Sequence, residues 1–270
     1  MIGYCVPVLP KLASFRLRVA IPSQFLKMPH KFGVGDVTFF FKNGNPTLAR
    51  SLKGPIVYDV VNPHFSDPDY RAMCELATVI TCSSQAMVPL IKEATGRDAV
   101  VIPDPYENAE GEAKINGGVL WFGHQANIES LRPYADLPVE ILTSDEWTLE
   151  REAEWLNRAG VVLLTGSNPG ASSNRVVKAL RAGRFVVAPE DCPESWKEFE
   201  PYIWIGDVHK GIHWAFENQE EACHKIRASQ EYIVPRFNPQ LIGSQWADLF
   251  ASTLAADTNK KTAGSALTTP

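Results

Sequence analysis

The stretch "TGSNPGASSNRVVKALRAGRFVVAP", residues 165–189, holds the residue types most able to do chemistry. An apolar run at 161–164 breaks into small residues, and Ser172 or Ser173 can cap the helix that follows. Small residues let backbone come close to a ligand, and first-turn N–H groups with the helix dipole favour an anion there. Asn174 and Lys178 lie about 40° apart on such a helix, with Arg175 beside them. Val176, Val177 and Leu180 form its buried side, and Gly183 is the expected C-terminal stop. The pattern offers phosphate binding at the opening turn of a helix; an ordinary strand–helix–strand crossover with solvated cations is the plain alternative.

A second cue is charge. The chain is acidic overall, at −5, yet residues 1–53 carry eight Lys or Arg (Lys11, Arg16, Arg18, Lys27, Lys31, Lys42, Arg50, Lys53) against Asp36 alone. That local balance, 8 − 1 = +7, suits an anionic partner such as a diphosphate, a lipid phosphate or a nucleic acid, or marks a solvated basic face. Three other patterns are better read as structure. "DPD" at 67–69 is a D-x-D by letter, but Asp67-Pro68 fits the cap and first turn of a helix. His209 and His213 have an i,i+4 spacing with Gly211 between them and no H-E-x-x-H, so no metal site is expected. "GVG" at 33–35 lacks the third glycine of a dinucleotide fingerprint.

The elements that must position these residues are legible as alternation. Short apolar runs fall at 2–8, 37–41, 56–61, 78–82 and 99–102, with helix-like stretches near 14–28, 45–52, 67–76 and 84–95. The rhythm repeats at 119–122, 139–142, 161–164, 185–188 and 202–205. Continuous apolar strands separated by helices indicate parallel sheets covered on both sides. The expected fold is therefore α/β, two doubly wound Rossmann-like domains whose strand ends face a central cleft. The first spans residues 1–105 and the second 118–237, with the Pro/Gly-rich 103–118 between them as a linker. A helix at 238–255, capped by Asn238 with Pro239 in its first turn, is expected to cross back to the first domain. The polar tail 256–270 is expected to be disordered. No internal repeat is evident.

With 45% hydrophobic and 21% charged residues the chain reads as a globular protein with a sizeable core. No apolar run approaches the ~18 residues of a membrane span, and "MIGYCVPVLP" lacks the pattern of a signal peptide, so a cytoplasmic location is expected. Five cysteines, none in a C-x-x-C pair, fit buried free thiols.

"SNRVVKALRAGRFVVAP" resembles the nucleotide-sugar-binding signature of GT-B glycosyltransferases, especially bacterial and phage enzymes related to glycosyltransferase family 4. Further segments are similar in order: "SFRLRVAIPSQFL", "DVTFFFKNGNPTLARSLKGPIVYDVVNPHF", "ATVITCSSQAMVPLIKEATGRDAVVIPDP", "VLWFGHQANIESL" and "FNPQLIGSQWADLF". The likeness covers roughly residues 2–250. It implies transfer of a sugar from a nucleotide sugar, UDP- or GDP-linked, to an acceptor hydroxyl, independent of a metal or other cofactor. Relatives carry a Glu-x7-Glu motif here, and this chain has Gly170 and Lys178 in those places. The usual Arg and Lys of the donor domain's first loop are likewise replaced, with Gly123, His124 and Asn127 in that neighbourhood.

The implied chemistry needs the leaving diphosphate neutralised and, for an inverting course, a base for the acceptor. Arg175, Lys178 and the backbone of Ser172, Ser173 and Asn174 are the expected donor contacts, with Arg16 and Arg18 closing from the other domain. Asp59, at a strand end, and His64, in the next loop, are the candidate catalytic residues. The acceptor is open: a polysaccharide, a lipid-linked sugar, a protein or a nucleic acid, with DNA bearing hydroxymethylated pyrimidines as one specific alternative. A catalytically silent nucleotide- or sugar-binding module of the same fold is the alternative from another class, suggested by Gly170 and Lys178.

Overall fold

A computed structural model describes residues 1–5, 12–42 and 44–266, with side chains through residue 259. The chain forms two compact units. One contains Ser14–Pro103 with the first strand and the segment from Pro239 onward; the other contains Asp104–Asn238.

The first part of the chain runs β1 (Ile2–Cys5), α1 (Ala13–Phe15), a π-helical stretch at Arg16–Ala20, α2 (Ile21–Phe25), β2 (His30–Phe32), β3 (Val37–Phe41), α3 (Pro46–Ser51), β4 (Ile56–Val60), α4 (Pro68–Leu76), β5 (Val79–Cys82), α5 (Met87–Thr95) and β6 (Val100–Val101). These strands make one parallel sheet in the order β2-β1-β3-β4-β5-β6. Helix starts follow local chemistry: the side chains of Asn45 and Asp67 accept from Leu48 N and Asp69 N, and a proline opens each helix. The edge strand β2 was not foreseen, because all three of its residues are exposed and leave no apolar run to read.

The second part runs β7 (Gly118–Gly123), a 3-10 stretch at Gln125–Tyr134, β8 (Val139–Thr143), α6 (Leu149–Arg158), β9 (Ala159–Leu163), α7 (Asn174–Arg181), β10 (Phe185–Ala188), a 3-10 turn at Glu194–Phe199, β11 (Trp204–Ile205), α8 (Val208–Glu217) and α9 (Gln219–Phe237). Its parallel sheet has the order β11-β10-β9-β7-β8. Strand residues alternate between two buried layers: Leu120, Val162 and Val186 pack with Val176, Val177 and Leu180 of α7, while Trp121, Val161 and Phe185 pack with Val208 and Ile212 of α8.

The final helix, α10 (Pro239–Ala266), belongs to the first unit. Its Trp246 and Phe250 meet Phe39 of β3 edge-on, at 5.2 and 6.0 Å between ring centroids. Gly243 allows α2 to come close, since a side chain there would strike Phe25. The helix also corrects the expected tail. It continues past 255 to Ala266, because "AADTNKKTA" holds no proline and its alanines and lysines are good helix formers; residues 267–270 lie outside the described residues.

The expected linker is corrected too. From residue 104 onward it is bound along the second unit, where it supplies partners for the end of α7. Gly111 N donates to Arg181 O at 2.8 Å, Lys114 N to Gly183 O at 3.2 Å, and buried Gln230 Nε2 to Gly111 O at 2.8 Å. The last carbonyls of a helix need such partners, and a non-periodic segment is free to provide them.

Candidate functional site

In the second sheet the first strand, β7, has β8 on one side and β9 on the other. The carboxyl ends of β7 and β9 thus form the switch point at which open α/β sheets bind ligands. Arg175 stands there. Its guanidinium donates to Phe122 O at 3.4 Å, to Thr165 O at 3.1 Å and to Gly166 O at 3.2 Å, and it lies 5.2 Å above the Trp196 ring. Burial lowers its pKa to about 10, so it stays charged at neutral pH. Among the described residues no carboxylate pairs with it, and its Nε–H and one Nη–H keep no partner.

The turns around Arg175 are built for close approach. Trp121 Nε1 donates to Thr165 Oγ1 at 3.0 Å, and that hydroxyl meets Ser130 Oγ at 2.7 Å. Gly166 has φ +58°, and a side chain on it would run into Ser130 and Asn127. Gly123 ends β7, where a Cβ would lie 2.8 Å from the Trp121 ring and 3.2 Å from an Arg175 nitrogen. His124 is exposed, and its Nδ1 accepts from Ala126 N at 3.2 Å as the cap of the 3-10 stretch. Half-buried Asn127 lies in that stretch, its carbonyl accepting from Ser130 Oγ. Gly123, His124 and Asn127 therefore lie at the end of β7 and in the stretch that follows it, with Gly123 against the Arg175 guanidinium.

The opening turn of α7 has no side-chain cap. Ser173, the residue before it, turns its hydroxyl to Glu198 Oε1 at 3.2 Å instead. Ser172 O accepts from Trp196 Nε1 at 3.2 Å, and Asn174 begins the helix half-buried. Burial raises the Glu198 pKa, against the opposing pull of its bonds to Ser173 and Tyr232.

Lys178 departs from expectation. It is buried, and its ammonium is bound by Glu107 and by Glu152 at 2.7 Å. Two carboxylates already neutralise it, so it does not serve as a free cation for phosphate. Glu152 also accepts from Trp147 Nε1. Sequence reasoning missed Glu107 and Glu152. Glu152 was findable, for it sits one helical turn before buried Leu156 on the apolar side of α6.

In the first unit the structure pairs two of the expected site residues with each other. Asp59 is fully buried in β4, and both its oxygens are taken by Arg18, at 2.9 and 2.7 Å, and by Thr81 Oγ1 at 2.7 Å. Arg18 is 3% exposed, donates also to Ile102 O, and lies 4.9 Å over the Trp246 ring. A carboxylate so enclosed cannot take a proton from an acceptor, and Arg18 has no face left for a phosphate; both are corrected to structural roles. Arg16 is half-buried on the π-helical stretch. His64 is exposed beyond β4, edge-on to Tyr70 at 6.0 Å. His209 and His213 face different carboxylates, Asp136 and Glu217.

No protein-family model matches the chain, and no curated protein matches it in sequence. Solved structures match it in fold. HepE of Anabaena, crystallised with UDP-glucose, aligns with a TM-score of 0.68 at 14% identity over 93% of this chain and 99% of that one. WaaG, a glycosyltransferase involved in lipopolysaccharide biosynthesis, aligns with a TM-score of 0.62 at 10% identity over 92% of this chain and 99% of its own. An α-glucosyltransferase in complex with UDP-glucose and DNA containing an abasic site aligns with a TM-score of 0.60 at 9% identity, over 93% and 98%. Together these show the α/β fold of GT-B glycosyltransferases.

Proposed function

We propose that the chain is a glycosyltransferase that holds a nucleotide-sugar donor, UDP- or GDP-linked, at the carboxyl ends of β7 and β9 and passes the sugar to an acceptor hydroxyl. Arg175 carries the reading: a half-buried cation with no acidic partner among the described residues and two N–H groups to spare, beside an uncapped helix start. Donors left over on a charged guanidinium suit a phosphate oxygen. As the bond from the anomeric carbon to the phosphate oxygen breaks, charge grows on the leaving diphosphate, and Arg175 with the amides of residues 172–174 stabilises it. No metal is called upon in this reading. That structures of the same fold hold UDP-glucose supports it.

The acceptor oxygen bonds the anomeric carbon and gives up its proton. For an inverting course His64 is the remaining candidate base, since Asp59 is enclosed; a retaining course would use a donor phosphate oxygen. Exposed Lys27, Lys31, Arg50 and Lys53 favour an anionic acceptor, a class that includes DNA with hydroxymethylated pyrimidines and lipid-linked sugars. A nucleic-acid acceptor would show affinity falling steeply with salt. The second reading, a silent nucleotide-binding module, draws on Lys178, whose charge is spent on two glutamates. Donor hydrolysis without acceptor would count against it.

The test is a thermal-shift and calorimetry panel of UDP-, GDP-, ADP-, CMP- and dTDP-sugars. A donor at 100 times its dissociation constant should stabilise by ~2.7 kcal/mol. Arg175→Ala should weaken binding by roughly 1.5–3 kcal/mol, with Arg175→Lys between. The charged form is the binder, so the Arg175 contribution should hold steady through neutral pH and be lost as pH rises through about 10. Unchanged affinity in a folded Arg175→Ala variant would place the donor elsewhere.

A further inference from the structure

The edge of the first sheet carries exposed apolar side chains with exposed lysines next to them in the chain, outside everything the donor site uses. Phe32 is 58% exposed and Val34 and Met1 are each 43% exposed, so three of the large apolar side chains most open to solvent come from this edge. Backbone contacts hold them together. Tyr4 pairs in register with Phe32, Gly33 N donates to Tyr4 O at 2.9 Å, and Asp36 N donates to Met1 O at 2.9 Å. Gly3 and Gly35 pack so closely that a side chain on either would strike the other's backbone, which presses the Val34 turn onto β1. Exposed Lys31 lies on β2 itself, between His30 and Phe32, and exposed Lys27 stands just before the strand; Asp36 pairs with the Met1 amine at 2.6 Å.

We infer that this edge docks the protein on an anionic lipid surface, with Phe32 and Val34 entering the headgroup region and Lys27 and Lys31 meeting lipid phosphates. Exposed apolar side chains in a cluster mark an interaction site, and apolar side chains next to lysines match a membrane interface in both its parts. Charge complementarity selects an acidic surface over a neutral one. The aliphatic Val34 and Met1 favour lipid over single-stranded nucleic acid, whose bases stack on aromatic rings but gain little from such side chains. The free hydrogen-bonding edge of β2 is only three residues long and bears Lys31, which disfavours pairing with another strand. The inference does not depend on the donor site or on catalysis.

Sedimentation of the full chain with vesicles tests it. Binding is expected to phosphatidylcholine vesicles containing phosphatidylglycerol, to weaken with salt, and to be near zero on phosphatidylcholine alone. Each of Lys27→Glu and Lys31→Glu should lower the partition coefficient by about fivefold or more, since each removes an attraction and adds a repulsion. Phe32→Ser with Val34→Ser should lower it also at low salt, with the thermal midpoint retained because these side chains are exposed. No binding to anionic vesicles would overturn the inference, as would binding that ignores these substitutions. Loss of binding to a single-stranded oligonucleotide in the same variants, with vesicle binding unchanged, would also overturn it and assign the patch to nucleic acid.

Discussion

Asp59 shows how a residue's type can be read while its role is not. It lies within "IVYDVV" and reads as a strand-end catalytic group, yet the strand residues are buried throughout. What the run could not reveal was the partner 41 positions away, Arg18, or the hydroxyl of Thr81. Asp59→Asn leaves the Arg18 charge buried without its counter-ion and should cost roughly 3–5 kcal/mol of stability. Donor affinity and turnover per folded molecule should be little changed. His64→Ala should do the reverse, lowering turnover by about 10²-fold or more with stability and donor binding intact. If Asp59→Asn abolishes turnover in protein that is still folded, its structural assignment is wrong. Full turnover in His64→Ala would leave the retaining course.

At the scale of elements, α7 was the most legible part of the chain. Its buried face, its start after Ser173 and its stop at Gly183, with φ +79°, follow from apolar spacing and the left-handed preference of glycine. The sidedness of its cations was not legible. Lys178 reads as a donor contact, yet it is buried against Glu107 and Glu152, and Arg181 is likewise buried against Glu110. Two of those acids come from residues 104–118, which have no period to announce that they are packed. Lys178→Met should therefore destabilise by roughly 3–5 kcal/mol, because two buried carboxylates are left facing each other. Lys178→Met with Glu107→Gln and Glu152→Gln should recover much of that loss in thermal or urea unfolding. A single variant as stable as the parent would mean the cluster is solvated in solution.

For the whole molecule, the chain's path decides which parts depend on which. The chain leaves the first unit after Pro103, builds the second through Asn238, and returns as α10. Most strands and their parallel arrangement were readable from apolar rhythm; that Phe39 needs Trp246, more than 200 residues later, was not, since nothing local to either specifies the other. Trp246 is 1% exposed, stacks with Phe250 and lies under the Arg18 guanidinium, so it joins α10, β3 and the Arg18–Asp59 pair. Trp246→Ala should open a cavity and cost roughly 3–5 kcal/mol. Trp246→Phe should cost far less, because the indole N–H is buried with no hydrogen-bond partner among the described residues and its removal relieves an unsatisfied donor. Hydrogen exchange should show where the loss falls. In Trp246→Ala, amides of β3, β4 and α2 should exchange faster, while those of β7, β9 and β10 stay protected and nucleotide affinity holds, because the Arg175 site is built wholly from residues of the second unit. Faster exchange across both sheets, with nucleotide affinity lost, would mean that α10 sustains the donor site as well as the core of the first unit.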